Sequence, residues 1–311
     1  MVQMIPTRDA YGEALAEIGA RYPHIVVLDG DLEDSTRTRY FKKKFPQRHF
    51  QMGISEQDMA NTACGLAREG KLPFVSSFAI FGSRAWEQIR NTAARGNFKV
   101  VFAFTHAGLS VGEDGSSAQA NEDVALFRVI PNFSVYVPAD AVETRRLIEW
   151  LPEHIEGPAY VRLGRAPVPV VMPPDYAFER GKATVLRDGD DVAIFACGLM
   201  VNRALDAAAT LEREGIRARV LNFCSIKPID ADAIVRASRQ TAGIVTAEEH
   251  SVIGGLGSAV AEVVTEDAPT RVERVGVRDT FGESGPPDAL LEKYGLTAQA
   301  ICEAARRLVG R

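Results

Sequence analysis

Glu56 is the first residue whose setting allows chemistry. It follows Ser55, and Ser55-x-x-Asp58 ahead of an apolar-periodic run has the form of a capping box. The spacing therefore predicts a helix that opens at Glu56, continues through Met59, Ala63, Leu66 and Ala67, and stops at Gly70. A carboxylate in a first helical turn ordinarily just complements the helix dipole. Further on, Phe78 and Phe81 stand three residues apart and meet if the segment turns helically, and paired phenylalanines usually belong to a core. The same three residues fit a sharper use, a planar heterocycle stacked on the rings with one ring nitrogen hydrogen-bonded to Glu56, which would stabilise ring protonation. Spacing alone leaves both readings open.

The elements that must position these groups have an α/β rhythm. Residues 7–22 are helix-periodic with Thr7 as a cap, and Ile25-Val26-Val27-Leu28 is a continuous apolar run suited to a buried parallel strand. In open α/β sheets ligands gather beyond the carboxyl ends of strands, which makes Asp31 and Ser35 candidates for a site; a solvated acidic loop is the plain alternative. A helix over 84–95 and a strand over 99–104 deliver the chain to Thr105-His106. The following loop, 105–122, is long and polar with three glycines, a composition typical of a working loop. A strand over 133–137, a helix over 140–151 opening at Asp140 and a strand over 159–163 complete a first domain.

Residues 166–175 hold four prolines in ten and read as a stiff linker, so the expected domains are 1–170 and 171–311. Beyond it, an edge hairpin or strand over 177–187 precedes strands near 191–196, 217–222, 243–247 and 272–277, which alternate with helices near 201–214, 230–239, 256–265 and 297–309. The fold class is α/β, two doubly wound domains with mostly parallel sheets. Gly254-Gly255-Leu256-Gly257-Ser258 matches neither GxGxxG nor GxxxxGK[ST] and reads as a tight turn into a helix or a subunit contact.

Composition narrows the function classes. The 311 residues suffice for two domains with substantial cores, and 46% hydrophobic with 25% charged is ordinary for a soluble globular protein. A net charge of −5 argues against a general nucleic-acid or anionic-membrane surface, and the basic run 37–49 reads as a solvated helix face. No apolar run approaches the ~18 residues of a membrane span, and the N-terminus lacks a signal pattern. The four cysteines form no CxxC pair, so free thiols in a reducing cytoplasm are expected.

Three strings carry a resemblance: GISEQDMANTACGLA at 53–67, SSFAIFGSRAWEQIRN at 76–91 and FTHAGLSVGEDGSSAQANED at 104–123. In order, spacing and identities they resemble the pyrimidine-binding domain of the transketolase family, and the remainder resembles that family's C-terminal domain. The family's diphosphate-binding domain, with its GDG…N metal signature, normally precedes this region and has no counterpart here, so the chain resembles the second subunit of a split transketolase.

The resemblance implies thiamine diphosphate as cofactor and transfer of a two-carbon ketol unit from a ketose phosphate, or a related ketose, to an aldose. It implies Mg2+ held by a partner subunit, with no metal ligands in this chain, and that partner would be the diphosphate-binding half of an α2β2 assembly, without which the chain would be inactive. Glu56 matches the glutamate at pyrimidine N1′; Phe81, with Phe78 beside it, the stacking aromatic; and Asp31 a residue lining the cofactor pocket. Arg84 stands where transketolases often have Tyr and deoxyxylulose-phosphate synthases have Arg. His106, Ser35 and Arg165 match phosphate contacts, and Asp114 matches the aspartate that reads the donor's C2 hydroxyl.

Two positions depart from the pattern. Ala118 replaces a histidine that contacts substrate oxygens, and Gln51 stands where full-length transketolases tend to carry His. These changes leave open an unusual ketose as substrate. They also leave open a catalytically silent regulatory paralogue. The β subunit of a 2-oxoacid dehydrogenase is a further alternative, and a deoxyxylulose-phosphate-synthase-like enzyme another.

Overall fold

The computed structural model describes residues 3–310. Two sheets organise them. The first has seven strands in the order Ser225–Lys227, Ser134–Tyr136, Ala159–Arg162, Val101–Thr105, Leu72–Phe78, Ile25–Asp29 and His49–Gln51. All neighbours in it are parallel except Ser225–Lys227, which runs antiparallel to Ser134–Tyr136. The second has five strands, Val272–Val277, Ile244–Ser251, Val192–Ala196, Ala218–Asn222 and the antiparallel edge Thr184–Arg187. Strands Ile25–Asp29, Val101–Thr105 and Val192–Ala196 are buried at every residue, as expected where helices cover both faces of a parallel sheet.

Register places the working ends together. Asp29 lies opposite both Gln51 and Ser76, and Phe78 opposite Thr105. Four carboxyl ends thus release the chain side by side, at Asp29, Gln51, Phe78 and Thr105. The first strand's exit is fixed by Asp29 itself, whose buried carboxylate accepts from the Leu32 amide and from the Thr36 and Thr38 hydroxyls at 2.6–2.8 Å.

Several local expectations change. The helix at Glu56–Arg68 does follow Ser55, but the Ser55 hydroxyl donates to the Met52 carbonyl at 2.7 Å, so no side-chain capping box forms. Thr7 is the first residue inside its helix, Thr7–Arg21, and its oxygen accepts from the Gly164 amide at 2.7 Å, tying the helix start to a distant strand exit. The single helix expected over 84–95 is broken into a 3-10 turn, a short α turn and a π-helical turn at Ile89–Ala94. Part of the proline-rich stretch is a strand, Pro167–Pro169, antiparallel to Met4–Pro6. The cap at Asp140 does form, with its side chain accepting from the Glu143 amide at 2.9 Å.

The glycine turn at 254–258 has its own anion. Glu248 accepts from the Leu256 and Gly257 amides at 2.7 and 2.8 Å, occupying the helix start that a phosphate would need. The basic run 37–49 is also partly committed: Arg48 donates to the Gly19 carbonyl at 2.7 Å and lies 4.1 Å from the Phe45 ring centre. All four cysteines are free and buried.

Candidate active site

Glu56 enters the site from the N-terminus of its helix and is only 3% exposed. Its Oε2 has no hydrogen-bond partner among the described residues, and its nearest cation is Arg84 Nη1 at 3.6 Å, on a side chain that is mostly exposed. A buried carboxylate oxygen left without a donor is rare in a folded protein and calls for a ligand or a functional reason. Arg84 completes the contact because the chain turns helically straight after strand Leu72–Phe78, through Ala79–Gly82 and Ser83–Ala85.

That turn also brings Phe78 and Phe81 together. Their rings stack at 5.4 Å between centres and 11° between planes, and His106 stacks on the other neighbour, Phe78, at 3.7 Å and 22°. His106 adopts a positive φ of 57°, a conformation unusual for a non-glycine residue and frequent at sites where geometry is imposed. Its Nε2 is 3.0 Å from Arg8 Nη1 and its Nδ1 is 2.8 Å from Thr105 Oγ1. A guanidinium only donates, so Nε2 is the acceptor and the ring hydrogen sits on Nδ1, donating to the threonine oxygen. Burial pushes the His106 pKa down to about 3, and the charges of Arg8, Arg165 and Arg37 push the same way. The ring is therefore neutral throughout the ordinary pH range.

Arg8 was not legible as a site residue. It sits in the first turn of helix Thr7–Arg21, where a cation opposes the dipole, and that misplacement was the available signal. It donates to the Ser35 carbonyl at 3.2 Å as well as to His106, while its Nε is buried without a hydrogen-bond partner. Of Ser35, then, the backbone oxygen is what joins this cluster. Arg165 Nη1 donates to the Val111 carbonyl at 3.1 Å and to Asp114 Oδ1 at 2.9 Å. Arg8 and Arg165 both line a cleft of about 560 Å³ that also touches Glu113, Arg203 and Pro287.

Gln51 works through Asp31. Its Oε1 accepts from the Asp31 amide at 2.7 Å and from the Gly53 amide at 3.2 Å, bridging two strand exits next to Glu56. Asp31 itself is exposed and held at φ 66°. Ala118 is buried in the loop that carries Asp114, and the neighbouring Gln119 donates to the Glu283 carbonyl at 2.9 Å. Among the described residues no cluster of three or more His, Cys, Asp or Glu is arranged to hold a metal ion.

The candidate residues thus fall into three groups: Glu56 with Arg84, the Phe81–Phe78–His106 contacts that reach Arg8 and through it the Ser35 carbonyl, and Arg165 with Asp114, Arg165 lining the same cleft as Arg8. A buried acid with an oxygen free of hydrogen bonds, together with an aromatic stack, suits a protonatable heterocycle, and the arginines suit an anionic substrate terminus.

Comparison with known proteins gives this arrangement a family. The transketolase pyrimidine-binding domain matches residues 3–170 and the transketolase C-terminal domain matches residues 181–301. A solved structure described as a split gene transketolase, inactive beta4 tetramer, is 54% identical, superposes with a TM-score of 0.92, and covers 98% of this chain and 99% of its own. The 6-deoxy-6-sulfo-D-fructose transketolase subunit SqwH of Clostridium sp. (strain MSTE9) is 41% identical over 98% of this chain and 94% of its own length. Human transketolase is 38% identical over 98% of this chain, which spans about half (49%) of the human protein. The chain belongs to the transketolase family, whose pyrimidine-binding and C-terminal domains it contains.

Proposed function

We propose that this chain is the pyrimidine-side subunit of a two-subunit transketolase, active with thiamine diphosphate only when paired with a diphosphate-binding subunit that holds Mg2+. The observation that carries the reading is Glu56 Oε2, buried at the start of its helix with no hydrogen-bond partner among the described residues and only the Arg84 guanidinium 3.6 Å away. The residues fit the cofactor's aminopyrimidine: a carboxylate for the ring nitrogen and two stacked phenylalanines for its face. Bound there, thiamine diphosphate would supply the carbon nucleophile and electron sink for a two-carbon ketol unit.

This chain's residues would then divide the work. Glu56 would hold and share a proton at N1′ of the pyrimidine, with Arg84 Nη1 lying 3.6 Å from its Oε2. Phe78 and Phe81 would fix the ring plane, and Asp31, with its amide held by Gln51, would border the pocket. Arg8, Arg165 and the Ser35 segment would bind the anionic end of the substrate, phosphate or sulfonate. His106, neutral and already hydrogen-bonded through both nitrogens, would hold the Arg8 guanidinium in place beside the substrate's anionic end rather than supply a charge. Asp114 would read a substrate hydroxyl once the substrate's anion draws Arg165 away from it. That pair is half-exposed, so parting it costs on the order of 1 kcal/mol or less.

The inactive tetramer named for the split-gene relative supports partner dependence, and SqwH supports a ketose with a sulfonated end as one substrate to try. We take the assembly as α2β2, the domain boundary as 170/171, and the location as cytoplasmic. Four unpaired buried thiols fit a reducing compartment, and no helix among the described residues is long and apolar enough to cross a membrane. The test is co-expression with a diphosphate-binding subunit and a ketol-transfer assay with both xylulose 5-phosphate and 6-deoxy-6-sulfo-D-fructose. Transfer from either donor to an aldose supports the reading. A cofactor-loaded complex that transfers from neither, or that decarboxylates a 2-oxoacid instead, overturns it.

A further inference from the structure

The loop Thr105–Glu122 carries His106 and Asp114, is braced internally by bonds such as Gly108 N–H to the Ala120 carbonyl, and is also seated against the second domain. Gly108, Gly112 and Gly115 all have φ near +80°. A Cβ at Gly108 would fall 2.4 Å from Glu249 Cδ, one at Gly112 3.0 Å from Pro287 Cγ, and one at Gly115 2.5 Å from Ser284 Oγ. The loop is therefore seated backbone-first on the second domain, with no room for a Cβ at Gly108 or Gly115 as they stand and a tight fit at Gly112.

Glu249 is the strongest of these supports. It lies on strand Ile244–Ser251, its side chain is 4% exposed, and its Oε1 accepts from the Ser110 amide at 2.6 Å. Its Oε2 is 3.6 Å from Arg162 Nη1, while Arg162 Nη2 donates to the Glu249 carbonyl at 2.8 Å. Arg162 in turn donates through Nε to Asp123 Oδ2 at 2.8 Å, directly after the loop ends. One residue thus grips the loop near its start and, through Arg162, at its end.

We infer that Glu249 is a positioning residue for the substrate loop, setting where Asp114 and Arg165 meet the donor. The inference rests on the proposed ketol transfer for its catalytic consequence, and on geometry alone for the loop. Displacement of a substrate-reading group by even ~1 Å can cost two orders of magnitude, so a rigid seat matters.

The test uses Glu249→Ala and Glu249→Gln. In the full-length chain, hydrogen exchange at residues 107–116 reads the seat directly. The Ser110 amide should exchange at least ~10-fold faster in E249A and near the wild-type rate in E249Q, whose side-chain oxygen still accepts. In the complex with the partner subunit, E249A should raise the donor KM roughly 10- to 100-fold, E249Q should largely restore it, and cofactor affinity should stay within about twofold. Unchanged exchange in E249A, or a lowered melting temperature with an unchanged donor KM, overturns the inference. A wild-type complex without ketol transfer counts instead against the proposed function, because the exchange result stands without it.

Discussion

Arg162→Met removes the guanidinium from a buried cluster and has a consequence that can be worked out in sign and size. Arg162 is 7% exposed, between Asp123 at 2.8 Å and Glu249 at 3.6 Å, each with a side chain under 5% exposed. Methionine fills similar space with no charge, so packing is largely kept and the two carboxylates are left facing each other. Breaking a buried pair by removing one partner costs about 3–5 kcal/mol. For domains of this size each kcal/mol moves the melting temperature by about 2–4 °C, giving a loss of roughly 6–20 °C at pH 8. Burial already raises the Glu249 pKa, with Arg162 holding it down. Without Arg162 it rises further, so the folded state binds a proton that the unfolded state has released. Stability then falls as pH rises through that window, and the deficit shrinks toward pH 5. Thermal unfolding of wild type and R162M at pH 5 and pH 8 measures this. A shift under about 2 °C at pH 8, or a larger deficit at pH 5 than at pH 8, refutes the reasoning.

The remaining predictions concern the site. Glu56→Gln keeps the shape of the side chain but cannot share a proton at the pyrimidine, and ketol transfer by the complex should fall by about 10²–10⁴-fold with little change in melting temperature. His106 should show no titration of its ring resonances between pH 5 and 8 in NMR spectra of the chain, since its pKa is pushed down to about 3; a midpoint near 6.5 would contradict its placement. Cys64, whose pKa burial raises to about 12, should resist thiol reagents in the native chain and react on unfolding, read as thiol release against time at pH 8.

Much of this architecture could be read before any coordinates, for reasons visible in particular residues. Fully buried parallel strands leave unbroken apolar runs such as Ile25–Leu28, and Asp140 and the cluster Phe78–Phe81 act within a few residues of themselves. What was missed acts at long range or competes locally. Ser55 and Thr7 look like caps, but their oxygens are claimed by Met52 and Gly164, and no local pattern announces that. Strand Ser225–Lys227 crosses to the other domain's sheet, and Glu249 reaches Ser110 across 139 positions. Arg8 joins the candidate site through His106, 98 residues away, and its unfavourable place at a helix start is the local hint of it. The roles expected for Glu56, Asp114 and Arg165 rest on resemblance to a family, whereas the geometry adds that Glu56 Oε2 has no hydrogen bond among the described residues and that Arg165 and Asp114 are paired with each other.

The most direct measurement of the central claim is ketol transfer by this chain purified together with a diphosphate-binding subunit, compared with this chain alone, both with thiamine diphosphate and Mg2+. The pair should turn over xylulose 5-phosphate or 6-deoxy-6-sulfo-D-fructose, and the single chain neither. Turnover by the single chain, or a cofactor-loaded pair that transfers no ketol unit from either donor, would contradict it.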